Sequence, residues 1–178
     1  MRIEKENSLL LIIDVQEKLY HHMENAATLS ASILTLMQGA EVLGVPIAAA
    51  RQYPQGLGDT IEVLRPHIKE HYDKITFSCC GNSNLLTRLS DSDCKSVIIA
   101  GIEAHVCVLQ TVIDLKAAGY LPIVVVDAIG SRRYQDYDIA LRRMETEGAL
   151  LTTVESILFE LCRESGTAVF KAISRLVK

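Results

Sequence analysis

A carboxylate, a thiol and an ammonium stand where apolar runs begin or end in this 178-residue chain: Asp14, Cys107 and Lys74. Asp14 closes the run 8–15 among Leu, Ile and Val, which solvate a carboxylate poorly and can raise it toward general-base values. The same position also suits the N-cap of a following helix. Cys107 follows the run 96–101, in Gly101-Ile-Glu-Ala-His-Val-Cys107. A helix starting near Ala104 or His105 puts it in the first turn, where the helix dipole favours a thiolate and free N–H groups can hold an oxyanion. Taken alone, it reads as readily as a small buried apolar residue. Lys74 in isolation reads as a solvated surface group. Beside the other two it would stabilise a thiolate and keep the carboxylate ionised.

Whether the three meet depends on the elements that carry them. Strands are expected over 8–15, 45–50, 73–77, 96–101, 120–126 and 149–153, the third being weak. Helices are expected over 26–43, 60–70 (broken by Pro66), 82–90, 104–118 and 134–147, with two more C-terminal helical segments. Residues 51–59, rich in Pro and Gly, read as a loop. Six apolar strands alternating with helices predict one α/β domain over 1–178. Its form is a Rossmann-like three-layer α/β/α sandwich on a six-stranded parallel sheet, order 3-2-1-4-5-6. In that order strands one and four are neighbours at the point where the strand order reverses. Asp14 and Cys107 then face each other across the crevice where such folds bind ligands.

Composition narrows the classes. Apolar residues make up 49%, aromatics 5%, and Trp is absent, which suits a core of aliphatic parallel strands. A net charge of -4 implies no basic face for nucleic acid. The apolar runs, such as 9–13, are too short to span a membrane, and the polar start has no secretory h-region, so a cytoplasmic protein is expected. Five cysteines, odd in number and without a CxxC pair, read as reduced thiols. The turn after the first strand, Asp14-Val-Gln-Glu-Lys18, has no glycine to cradle a phosphate, and Gly-x-Ser-x-Gly is absent.

Asp14-x-Gln16 at the end of strand one, Lys74 near strand three, and Gly101-Ile-x-x-x-x-Cys107-Val after strand four resemble the isochorismatase-like cysteine hydrolases. The resemblance runs from about Ser8 to Leu161. It is strongest, through residues 52–58 and 101–104, to isochorismatase domain-containing proteins related to nicotinamidases. It implies that Cys107 is the nucleophile, Asp14 the general base and acid, and Lys74 the cation between them. It implies a cis peptide at Ile102-Glu103 and an oxyanion hole from the N–H groups of Glu103 and Cys107. The expected reaction is cleavage of a small-molecule C–N bond, as in an amidohydrolase, through a thioester on Cys107. No cofactor is called for, and a homo-oligomer, dimer or larger, is expected.

Departures from the family sharpen this. Isochorismatases proper cleave a vinyl ether and lack the nucleophilic Cys, so Cys107 argues against isochorismate as substrate. Nicotinamidases hold a metal through Asp-x-His, where this chain has Arg51-Gln-Tyr53. His67 and His71, spaced i, i+4, would share a helix face but have no third ligand, so no metal is expected. Gln16, Gln52, Phe77 and His105 are candidate substrate contacts. Two other classes stay open: a silent interaction module on the same fold, and a redox sensor built on Cys107.

Overall fold

A computed structural model describes residues 2–178, leaving Met1 outside. The strands are β1 (Ser8–Ile13), β2 (Ile47–Gln52), β3 (Glu70–Lys74), β4 (Ser96–Ile102), β5 (Leu121–Gly130) and β6 (Leu150–Thr152). The helices are α1 (Glu17–Tyr20), α2 (Ala26–Leu43), α3 (Pro54–Leu57), α4 (Ser83–Ser90), α5 (Leu109–Ala117), α6 (Tyr134–Thr146), α7 (Val154–Cys162) and α8 (Ala168–Leu176). All strand pairs are parallel and the order is β3-β2-β1-β4-β5-β6, as the sequence predicts.

β1 and β4 are buried along their whole length, which is why they read as unbroken apolar runs. Their side chains alternate between two cores. Leu10, Ile12, Ile98 and Ala100 pack with Leu29, Ile33, Leu36, Ile157 and Leu158 of α2 and α7. Leu9, Leu11, Ile13, Val97 and Ile99 pack with Leu85, Val112, Leu115 and Met144 of α4, α5 and α6. Each fully buried Leu or Ile contributes about 1.5–3 kcal/mol before chain entropy is counted. Cys79 and Cys107 belong to the second core.

Several expected boundaries move. The third strand is Glu70–Lys74 rather than 73–77, and the expected helix over 60–70 shrinks to one 3-10 turn, Arg65–His67. β3 is a half-exposed edge strand, so it lacks the apolar run that marks β1 and β4. His67 bonds Glu41 from the 3-10 turn while His71 lies in β3, so the two never share a helix face. The helix expected from Ala104 begins instead with a π-turn, Ala104–Val108, before α5. α2 has 18 residues and a mean hydropathy of 1.3, apolar enough to cross a membrane by length and composition alone. That departs from the expectation that no run is long enough. Here its Leu29, Ile33, Leu36 and Met37 are buried in the first core.

Candidate active site

Parallel register places the strand ends in a row. Ile13 pairs with Ala50 on one side and Gly101 on the other, and Gln52 pairs with Lys74. Asp14 therefore follows β1 beside the ends of β2 and β4, with Lys74 reaching in from the edge. Its backbone leaves the strand at φ 53°, a left-handed conformation that Asp tolerates better than most residues. On the β4 side the chains approach unusually closely. A Cβ on Gly101, at φ 128°, would stand 2.1 Å from the Ile13 carbonyl oxygen. Only glycine fits there, one residue short of the carboxylate.

Asp14 is fully buried, and its Oδ2 accepts from Lys74 Nζ at 2.6 Å. The lysine side chain is 1% exposed. Its ammonium also donates to Gln52 Oε1 (2.7 Å), Phe77 O (2.9 Å) and Thr76 O (3.3 Å). The buried cation is thus held by a carboxylate, an amide oxygen and two carbonyls, the satisfaction a buried charge requires. The other carboxylate oxygen differs. Asp14 Oδ1 is buried and has no hydrogen-bond partner among the described residues. That oxygen keeps the capacity to accept from a further donor.

The Cys107 thiol, 6% exposed, lies close enough to both groups that each perturbs its titration, yet it forms no completed bond to Oδ1. Burial, reinforced by the Asp14 carboxylate and opposed by the Lys74 ammonium, pushes Cys107 up to about 12. Desolvation thus opposes the thiolate that a helix start would favour. Burial also pushes the Asp14 carboxyl above its ordinary range, while the charge and hydrogen bond of Lys74 pull it back. The result is a poorly solvated acidic group, clamped through one oxygen, beside the Cys107 thiol.

The remaining candidates take varied positions. Gln16 is fully buried; its Nε2 donates to Gln52 O (2.9 Å) and Gly58 O (2.8 Å), and its Oε1 accepts from Gln52 N (2.7 Å). Reading it as a substrate contact is corrected, since both amide protons and the oxygen are committed to the chain. Gln52 is likewise turned inward, donating to Ile75 O at 2.7 Å while it holds Lys74. The Phe77 ring is 53% exposed and outside both cores, and its carbonyl holds Lys74. His105 is half-buried and its Nδ1 meets Ser131 Oγ at 2.9 Å. The Glu103 side chain accepts from Arg132 at 2.8 Å, its carbonyl accepts from Val106 and Val108, and the Ile102–Glu103 peptide is cis. Among the described residues no cluster of His, Cys, Asp and Glu suits a metal ion.

Sequence reasoning did not find the roles of the Thr76 and Phe77 carbonyls, which carry no side-chain signal. It also passed over Arg51, which grips Asp73 through two nitrogens and Asp59 through a third, pinning the loop after β2 to the end of β3.

Comparison with known proteins agrees with this geometry. The Isochorismatase domain matches residues 8–156. Isochorismatase family protein 1B of Dictyostelium discoideum is 38% identical, over 99% of this chain and 89% of its own. A solved structure described as the MAR1 ribonuclease of Caenorhabditis elegans is 36% identical with a TM-score of 0.91, covering 99% of this chain and 92% of that one. The YcaC gene product of Escherichia coli, described as an octameric hydrolase of unknown specificity, shares the fold at 22% identity, with a TM-score of 0.91, covering 99% and 89%. Fold and strand-end site together define an α/β protein of hydrolase type. The chain belongs to the isochorismatase family.

Proposed function

We propose that the protein is a cysteine hydrolase that cleaves a C–N bond of a small amide through a thioester on Cys107. The observation that carries this reading is the Asp14 carboxyl beside the Cys107 thiol, its Oδ2 clamped by Lys74 and its Oδ1 left to accept a proton. Asp14 takes the thiol proton as Cys107 Sγ attacks the amide carbon. The oxyanion is held by the N–H groups of Glu103 and Cys107, a contribution of about 3–4 kcal/mol for each well-aimed donor. Asp14 returns the proton to the leaving amine, then draws one from the water that cleaves the thioester and passes it to the departing Cys107 sulfur, which restores the thiol and the carboxylate. Lys74 fixes the carboxylate and limits the cost of its burial. Gln52 and Phe77 hold that ammonium, and the exposed Phe77 ring and half-buried His105 are the candidates for substrate contact. No cofactor or metal enters the reaction.

A silent module gives no reason for a buried ion pair with an orphaned oxygen, and a redox sensor needs neither Asp14 nor Lys74. The worm relative is described as a ribonuclease. A polyanion suits this chain less well: its net charge is -4, and Lys18, Arg51, Arg65 and Arg132 around the catalytic edge are all engaged by carboxylates or carbonyls. Five unpaired cysteines support a reducing, cytoplasmic setting. Assembly into a homo-oligomer is supported by the edge strand β6, whose Leu150 and Leu151 are partly exposed. The test is ammonia release over a panel of small primary amides including nicotinamide, with isochorismate and RNA as contrasting substrates. Turnover of an amide that disappears in Cys107→Ala supports the reading; turnover that survives in Cys107→Ala overturns it.

A further inference from the structure

The triad depends on two segments that are distant along the chain. Residues 75–82 cage the Lys74 ammonium through the Thr76 and Phe77 carbonyls, and the π-turn Ala104–Val108 carries the nucleophile. Thr111, fully buried in the first turn of α5, bonds to both. Its hydroxyl donates to the Cys107 carbonyl at 2.7 Å and accepts from the Cys79 N–H at 2.9 Å. Threonine often bonds the carbonyl four residues back in a helix, and that bond alone implies nothing further. The second bond does, because Cys79 N–H opens the 3-10 turn Cys79–Gly81 and is a donor left over by that turn. Each lone hydroxyl has one proton, so accepting from Cys79 while donating to Cys107 locks its orientation.

The cage segment is otherwise tied to its own side. Asn82 Nδ2 donates to Asp73 O, Thr76 Oγ1 to Ser78 O, and Lys74 closes the turn from within. Among the described residues, Thr111 is the side chain hydrogen-bonded to both the cage segment and the nucleophile's turn. Resting on the cysteine-hydrolase reading above, we propose that Thr111 is a positioning residue that sets the separation between the Asp14–Lys74 pair and the Cys107 thiol.

The test reads that separation without any substrate. Iodoacetamide alkylation of Cys107, followed by peptide mass across a pH series, gives the midpoint of thiol ionisation. Asp14→Asn removes the carboxylate that raises the thiol and moves this midpoint down. Because charge coupling falls with distance, the shift caused by Asp14→Asn should drop to about half or less in a Thr111→Val background. Thr111→Ser, which keeps the hydroxyl, should retain the full shift. If Thr111→Val does not fold, as judged by circular dichroism, the pair Thr111→Ala and Thr111→Ser provides the same comparison of hydroxyl against none. An Asp14→Asn shift of equal size with and without the hydroxyl overturns the proposal. If Asp14→Asn moves nothing in the otherwise native chain, the Asp14–Cys107 pairing itself fails, and the hydrolase reading falls together with the role of Thr111.

Discussion

Lys74→Met removes the ammonium from the site and fills its volume with an apolar side chain of similar length. In the native chain the lysine and Asp14 side chains are 1% and 0% exposed, and 2.6 Å separates Nζ from Oδ2. Removing one partner of such a buried pair costs about 3–5 kcal/mol, because the other charge is left unpaired. Here the penalty depends on pH. Burial already pushes Asp14 upward and Lys74 is the main opposing influence, so its loss raises the folded-state value further. A carboxyl whose folded value lies above its unfolded value contributes stability fully present below the unfolded value, about 3.9. That contribution is lost as pH rises through the folded value. Lys74→Met should therefore lie closest to the native protein near pH 4 and furthest from it near pH 8, by roughly 3 kcal/mol or more. Adding Asp14→Asn removes the stranded charge and should recover most of the loss at the higher pH. Urea melts followed by far-ultraviolet circular dichroism suit a chain with no Trp. A Lys74→Met loss below about 1 kcal/mol, or one that is the same at both pH values, would refute the argument that a desolvated carboxylate depends on this lysine.

Gly101→Ala forces a Cβ onto the Ile13 carbonyl at a positive φ, and should cost at least ~2 kcal/mol and abolish turnover, read by urea melts and activity together. Gln16→Leu strips three part-buried hydrogen bonds and leaves Gln52 N–H and two carbonyls without them; the unfolding free energy from urea melts should fall by about 2–4 kcal/mol. Any enzyme that remains folded should show loss in kcat rather than KM, since Gln16 has no free polar atom to offer a substrate. Cys107 alkylation should speed up near neutral pH in Asp14→Asn, as the charge that raises the thiol disappears, and slow down in Lys74→Met. Equal rates in the two variants would contradict the charge assignment.

The sheet was legible because β1, β4 and β5 are buried on both faces and announce themselves as aliphatic runs. β3 was not, because an edge strand reading Glu-His-Tyr-Asp-Lys with alternate residues exposed carries no such run. Lys74 was still named, through the resemblance to the family, although in isolation it reads as a surface cation and the expected strand 73–77 put it near the start rather than the end. The three candidate groups could be named from strand ends and family resemblance, and the fold brings them together. The resting state of the thiol could not be read, because the balance between helix dipole and desolvation depends on how much of Cys107 is covered. Gln16 misled for a related reason: an amide near a site looks like a substrate contact until its partners are known. The Thr76 and Phe77 carbonyls were invisible, being main chain.

The central claim is covalent catalysis by Cys107, and intact-mass analysis of the protein during turnover tests it most directly. With an amide that releases ammonia, the wild-type chain should gain the mass of the acyl group, and peptide mapping should place that mass on Cys107. Asp14→Asn should fail to form the adduct. Steady turnover with no adduct on Cys107 under rapid acid quench, together with unimpaired ammonia release by Cys107→Ala, would contradict the account.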